Sequence, residues 1–365
     1  MTRCPLCQET MRQAYTHPNA FFADRDVNLP LVMEICPACG FLFQSSAATP
    51  EYEDVMNTGY GEYYGKDIFA FPRRDRESLK ALDMLLRNLP DVPMPSLLEI
   101  GSNKGDLLYM VKEKRPECNV LGIDPGMSND RGVPTVREYF RPELFASTFD
   151  VVILKHILEH FTDPKGFLQG VSRVLSDNGL LYVDVPNLNW ILQDGTEGFV
   201  LHHVGYFTLN TLRIALEGFE VVEAEEEASL RAVFRKSSSP APVTQEDVSG
   251  VAAQCALLEE NRKKVMNRIL TAAHNGTPLI FYGAYTIFRL LYREIRYQAP
   301  QAACSFYDDN YDGESEPVFG LKRCKELHQD ALVILCSNNS ETLDAMEQRL
   351  QGRNLNIVRP WRSHE

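Results

Sequence analysis

Leu97-Leu98-Glu99-Ile100-Gly101-Ser102-Asn103-Lys104-Gly105-Asp106-Leu107 runs from a short apolar stretch, through two glycines, into the start of an amphipathic one. The apolar residues suit a buried strand and the glycines a tight turn, so the spacing predicts a strand-turn-helix unit. Gly101 lets the backbone turn at the strand's carboxyl end, and Gly105 permits close approach where the helix begins. In an open parallel sheet, ligands bind at that end of the strands. Glu99, Gly101, Ser102, Asn103 and Gly105 are therefore the first candidate ligand-binding residues.

Outward from this stretch, short apolar runs alternate with longer amphipathic ones, which predicts an α/β fold with a mostly parallel, Rossmann-like sheet. The expected strands are Ser96–Ile100, Asn119–Ile123, 149–154, 180–185 and 219–223. Leu121-Gly122-Ile123-Asp124-Pro125 ends the second of them on an acid, about twenty residues after the glycine turn, where a carboxylate accepts both ribose hydroxyl protons. Asp124 is the expected ribose anchor. A nicotinamide dinucleotide site shares this geometry, so the glycine turn by itself leaves the ligand open.

Ser237-Ser238-Ser239-Pro240-Ala241-Pro242 has neither periodicity nor apolar content and marks a linker. Beyond it a long amphipathic helix is expected to about residue 274, followed by strands at 278–282, 303–307 and 331–335, a second Rossmann-like unit. The predicted organisation is a zinc-binding domain at 1–48, a helical and aromatic lid segment at 49–95, the main α/β domain at 96–236, linker and helix at 237–274, and a carboxyl-terminal α/β domain at 275–365. Glycine turns at strand ends favour phosphates, but Gly283-Ala284-Tyr285-Thr286-Ile287-Phe288 lacks the second and third glycines of a dinucleotide fingerprint. Help in holding a nucleotide part of the acceptor and a purely structural role are both open for this last domain.

Cys4-Pro5-Leu6-Cys7 and Cys36-Pro37-Ala38-Cys39-Gly40 supply four thiols in two turns, the pattern of a closed tetrahedral zinc site. Four thiolates leave no position for water, so the expected ion is structural. Its task is to fold a segment too small to fold alone. The remaining five of nine cysteines, Cys118, Cys255, Cys304, Cys324 and Cys336, sit singly in apolar surroundings and read as core residues.

A net charge of −13 opposes a nucleic-acid partner, since binding a line of phosphates requires Lys and Arg in excess. No apolar run approaches the roughly 20 residues that span a bilayer. The opening Met1-Thr2-Arg3-Cys4 does not resemble an export signal, so a cytoplasmic protein, monomeric or dimeric, is expected.

Phe149-Asp150-Val151-Val152-Ile153-Leu154-Lys155-His156-Ile157-Leu158-Glu159-His160-Phe161 resembles the fourth-strand segment of class I S-adenosylmethionine-dependent methyltransferases, and so does the run Val174 to Asn187 that follows it. More finely, the chain resembles the sugar C-methyltransferases of antibiotic deoxysugar pathways, which join a zinc-binding front, a methyltransferase middle and a nucleotide-fold rear. The Leu29 to Gly40 run looks like their second cysteine knuckle, and Glu99 to Gly105 is similar to their cofactor turn. Leu201-His202-His203-Val204-Gly205-Tyr206-Phe207-Thr208 looks like their His-Glu-His-x-x-Tyr-Phe-Ser segment, and Ser229-Leu230-Arg231 falls where a Gly-Gly-Ser-Leu-Arg strand is usual. Phe281-Tyr282-Gly283-Ala284 and Phe306-Tyr307-Asp308-Asp309-Asn310 are similar to the rear domain's turn and acidic strand end. The departures fall on the acceptor's side: His202 replaces the segment's Glu, Val200 its leading Tyr, and Gly65-Lys66-Asp67 a serine-rich run.

The resemblance implies S-adenosylmethionine as donor, with Lys155 and His156 offering backbone groups near its sulfonium, and a small polar acceptor, a nucleotide-linked ketosugar. C-methylation beside a ketone needs a base and a group to hold the enolate oxygen. By the resemblance His203 is the base and His202 replaces its acidic neighbour, while Tyr63 and Tyr64 are candidates to stabilise the oxyanion or to close over the substrate. In an extended segment the adjacent histidines would point to opposite faces, so only one is expected to reach the substrate. Two rival readings are an O- or N-methyltransferase on a similar metabolite and a non-catalytic zinc-ribbon scaffold that only binds the ligand.

Overall fold

The computed structural model describes residues 2–21, 28–56, 72–126, 131–194, 199–237, 248–283, 286–309, 320–337 and 340–359. Tyr63, Tyr64 and the 65–67 departure lie outside them, as do the carboxyl-terminal part of the linker and Asn310. By backbone proximity the chain forms two compact units, Met1–Gln13 with Met33–Trp190 and His202–Val248, and Ala14–Val32 with Ile191–Leu201 and Ser249–Glu365.

In the first unit, seven strands make one sheet: β4 (Ser96–Ile100), β5 (Asn119–Ile123), β6 (Thr135–Val136), β7 (Phe149–Lys155), β8 (Leu175–Pro186), β10 (Phe219–Glu226) and β11 (Ser229–Lys236). Their order is β10-β11-β8-β7-β4-β5-β6. The strands from β8 to β6 are parallel, whereas β11 runs antiparallel to both β8 and β10. Buried on both faces, β4 and β7 read as near-continuous apolar runs, the expected pattern for central parallel strands. The helices α1 (Pro72–Asn88) and α2 (Asp106–Lys114) pack against this sheet. Their apolar stripes, Ala81, Leu82, Met84 and Leu85 on one and Leu107, Leu108 and Val111 on the other, meet Leu97, Val151, Ile153 and Tyr182 in one core. Exposed faces carry the charges: Arg87 of α1 reaches Glu223 and Glu225 of β10.

A smaller sheet has the order β1-β2-β3-β9, from β1 (Arg12–Phe21), β2 (Asn28–Ile35), β3 (Leu42–Gln44) and β9 (Gly205–Tyr206). Within the first unit, the end of β2 pairs with β3 (Ile35 opposite Leu42), and β3 pairs with β9 (Leu42 opposite Tyr206).

The second unit holds the long helix α3 (Val248–His274) and a parallel sheet in the order β13-β12-β14-β15, made of β12 (Leu279–Tyr282), β13 (Cys304–Tyr307), β14 (Leu332–Leu335) and β15 (Asn356–Val358). Helices α4 (Thr286–Gln298) and α5 (Ser340–Leu350) connect them. Its own core joins Ile280, Tyr282, Val333, Leu335, Leu343 and Leu350. Cys118, Cys255 and Cys336 are buried as expected, while Cys304 and Cys324 are half-buried. Among the described residues no helix is long and apolar enough to cross a membrane.

Candidate active site

The order of the large sheet reverses between β4 and β7: from β4 the chain steps outward to β5 and β6, then returns to place β7 on β4's other side. Such a reversal opens a crevice at the strands' carboxyl ends. The turn after β4 is built for that place. Gly101 (φ 74°), Asn103 (φ 47°) and Gly105 (φ 75°) all take the left-handed backbone region, and at Gly101 a β-carbon would stand 2.9 Å from the Ile157 side chain. The Gly101 N–H donates to the Ile123 carbonyl at 2.8 Å, and the Gly105 N–H to that of Ser102 at 2.8 Å.

Asp124 faces this turn from the end of β5. Its Oδ2 accepts the Asn103 N–H at 3.0 Å and its Oδ1 the Gly126 N–H at 2.9 Å. Each carboxylate oxygen keeps a further lone pair, enough for a diol. The residue that sequence reasoning missed is Gly122, where a β-carbon would come within 2.5 Å of Ser102 Oγ. A glycine inside a strand was the available signal, since it marks close approach of another segment.

Glu99 Oε2, Ser102 Oγ and Asn103 Oδ1 are buried without a hydrogen-bond partner. Buried polar groups are satisfied in native proteins, so three orphans around one turn call for a ligand carrying donors. Burial pushes the Glu99 carboxyl up to about 8; Lys155 opposes the shift, and Asp106 and Asp124 add to it. The donor chemistry of S-adenosylmethionine fits this set: Glu99 would face its ammonium, Asp124 its ribose hydroxyls and the turn its further polar atoms.

At the end of β7 the chain turns sharply at His156 (φ 51°), whose N–H donates to the Asp184 carbonyl at 2.8 Å. His156 Nδ1 lies 3.3 Å from Glu159 Oε1, and its Nε2 lies 4.0 Å from Asp184 Oδ1. Glu159 and Asp184 are both fully buried, and burial raises both carboxyls above the usual range. Asp184 also faces the buried Arg231, at 3.7 Å from Nε. Arg231 pairs in addition with Glu77, and with Glu227 at 3.4 Å.

The segment of the two histidines is a turn leading into β9, so the opposite-face argument, which holds for an extended segment, does not apply to it. Both rings pack on His160, with centroids 5.9 Å away for His202 and 5.3 Å for His203, and on each other at 4.5 Å. His160 Nδ1 donates to the His202 carbonyl at 2.7 Å, and the Val204 N–H donates to the Glu159 carbonyl at 2.7 Å. Desolvation pushes His202 down to about 3 and His203 well below the usual imidazole range, with neighbouring imidazoles adding to both shifts. Each therefore rests as a neutral ring.

The cysteine knuckles share one geometry. In the first, the Gln8 N–H returns to the Cys4 carbonyl at 2.9 Å; in the second, the Gly40 N–H returns to that of Cys36 at 3.0 Å. Gln8 (φ 65°) and Gly40 (φ 78°) take the same left-handed position after the second cysteine of each pair. Cys4, Cys7, Cys36 and Cys39 bring their four sulfurs within 4.8 Å of one another. That suits a tetrahedral ion. In the second unit, Gly283 ends β12 so close to the Cys336 carbonyl that a β-carbon would lie 2.6 Å from it. There Asp309 is engaged by the hydroxyls of Tyr282 and Tyr307 and by Arg349.

Residues 72–224 match a family described as a methyltransferase domain. The mixed sheet and its switch-point crevice are accordingly a methyltransferase fold of the Rossmann-like α/β class. Among curated proteins, the chain is 28% identical over 208 residues to the C-methyltransferase NovU of Streptomyces niveus, covering 53% of this chain and 47% of that one. It is also 30% identical over 109 residues to a ubiquinone biosynthesis O-methyltransferase of Bradyrhizobium diazoefficiens, covering 26% of this chain and 41% of the relative. The chain thus spans about half or less of the length of these relatives. Among solved structures, the 1,6-didemethyltoxoflavin-N1-methyltransferase of Burkholderia thailandensis superposes with a TM-score of 0.42 at 18% identity, covering 62% of this chain and 100% of that one.

Proposed function

We propose that the protein transfers the methyl group of S-adenosylmethionine to a small polar metabolite, and that the transfer is a C-methylation beside the carbonyl of a nucleotide-linked deoxysugar. The observation that carries the donor half is the turn after β4, where Glu99, Ser102 and Asn103 hold buried polar atoms without partners beside the carboxylate of Asp124. The acceptor half is supported by the likeness to a C-methyltransferase over 208 residues and by the position of His203. C-methylation needs a proton acceptor at the carboxyl end of β7, and neutral imidazoles are gathered there. We assign zinc to the four cysteines as a structural ion.

Calorimetry with S-adenosylhomocysteine tests the donor site: binding is expected, and no binding ends the enzymatic reading. Incubating a nucleotide-linked ketosugar with protein in D2O, without donor, tests the C-route through exchange of the hydrogen beside the carbonyl. The likeness to an O-methyltransferase favours a second reading, in which the same place takes a hydroxyl proton. Lack of exchange together with methyl transfer to oxygen selects it.

A further inference from the structure

We propose that Glu159, His160 and His203 form a binding site for one divalent transition-metal ion, separate from the four-cysteine cluster. One ligand atom from each residue lies within 4.8 Å of the others. Bonds of roughly 2.0–2.2 Å from nitrogen and oxygen to an ion set neighbouring ligand atoms about 3–3.6 Å apart, so the three side chains would draw together by about an ångström to hold it.

Glu159 points to a ligand independently of that spacing. Its side chain is 0% exposed, and neither carboxyl oxygen accepts a hydrogen bond, although His156 Nδ1 stands 3.3 Å from Oε1. A buried carboxylate left so poorly paired is costly unless something binds it. Metal coordination supplies that partner.

The surroundings are arranged as they are around metal-bound histidines. A carbonyl only accepts, so the 2.7 Å contact between His160 Nδ1 and the His202 carbonyl fixes the proton on Nδ1 and makes Nε2 the lone-pair nitrogen. The Val204 N–H on the Glu159 carbonyl ties the two ligand-bearing segments together one residue away from His203. Two imidazoles and one carboxylate favour zinc, iron, manganese or nickel over calcium and magnesium. Three protein ligands leave positions open, as in catalytic sites.

The use of the ion rests on the methyl-transfer reading; its binding does not. Bound at the carboxyl end of β7, it takes an oxygen of the acceptor into an open position and draws charge from it. The adjacent C–H or O–H would become more acidic; with its lone pair on the ion, His203 would act as a ligand instead of the direct base, and the proton would pass to a water or hydroxide at another open position of the ion.

The experiment uses the full chain with its cysteine site loaded with zinc, titrated with Mn2+ while free Mn2+ is followed by electron paramagnetic resonance. Manganese is chosen because thiolate sites select softer ions. One Mn2+ per chain is expected, displaced by Zn2+, with Glu159→Gln and His203→Asn each weakening binding at least tenfold while S-adenosylhomocysteine still binds both variants. If the wild type takes up neither Mn2+ nor a second zinc, or if both variants bind Mn2+ as tightly as the wild type, the proposal is overturned. Loss of S-adenosylhomocysteine binding with Mn2+ uptake intact would instead sink the methyl-transfer reading alone.

Discussion

Glu99 sits close to its own midpoint at mildly alkaline pH, because burial lifts its carboxyl to about 8 from an ordinary value near 4.5. The folded protein therefore holds a proton that the unfolded chain has already released. The stability this proton contributes is complete below about pH 4.5 and is lost as pH rises through about 8. Thermal melts of Glu99→Gln should lack the decline that the wild type shows across that window. Donor affinity should move the other way, since only the ionised carboxylate pairs with an ammonium: roughly tenfold tighter per pH unit below the midpoint, a slope absent in the variant. At Asp124, replacement by alanine removes the acceptor expected to hold the ribose and should weaken S-adenosylhomocysteine binding by about 1.5–3 kcal/mol, the usual worth of charge-assisted hydrogen bonds. Both acids are candidates on sequence alone, since each stands at the carboxyl end of an apolar strand, Glu99 just before the glycine turn and Asp124 about twenty residues after it. The cluster around Glu159 was not. Its members come from 156–160 and 202–203, segments far apart in sequence that the hydrogen bonds from His160 to the His202 carbonyl and from Val204 to the Glu159 carbonyl bring together.

At the scale of elements, the second knuckle leads directly into β3, β3 pairs with β9, and β9 begins two residues after His203. The Gln44 N–H also donates to the Val204 carbonyl at 2.8 Å. The cysteine cluster is thus one edge of the frame that fixes the histidine turn. Removing the proposed zinc with a chelator, or replacing Cys36 by serine, should lower turnover at least tenfold while changing S-adenosylhomocysteine affinity little; steady-state kinetics beside calorimetry separates the two effects. Gly122→Ala should do the reverse, because its added carbon meets Ser102 on the donor's side of the crevice. Strands with continuous apolar runs were readable from sequence at β4, β5 and β7. The two-residue β6 and three-residue β15 were not, because strands that short carry no period to detect. The outer strands β10 and β11 alternate instead, with charges along one face, and the length of β11 became visible only from its seven-residue register with β8.

Across the whole molecule, each compact unit has its own apolar core, so calorimetric unfolding should show two transitions rather than one. S-adenosylhomocysteine at a hundred times its dissociation constant should stabilise only the transition of the first unit, by about 2.7 kcal/mol. The domain plan expected from sequence cuts the chain after residues 48, 95, 236 and 274, where composition or pattern changes. The compact units are defined by backbone proximity and divide the chain at Gln13, Val32, Trp190, Leu201 and Val248; a segment that leaves one unit and returns to it has no compositional mark. Arg231 shows a related limit: nothing about an arginine in a strand announces that it will be wholly enclosed among Asp184, Glu77 and Glu227. Its replacement by alanine strands Asp184 without a counter-charge and should cost about 3–5 kcal/mol in denaturant unfolding.

Among the described residues the large sheet ends in β10, a border bearing Glu220, Glu223, Glu225 and Glu226, of which Arg87 pairs with the middle two and leaves Glu220 and Glu226 at its ends. Two such borders brought side by side would repel, which keeps copies of the sheet from growing onto one another in concentrated solution. Acidification below the carboxylate range erases that repulsion, so light scattering should rise there before either core melts.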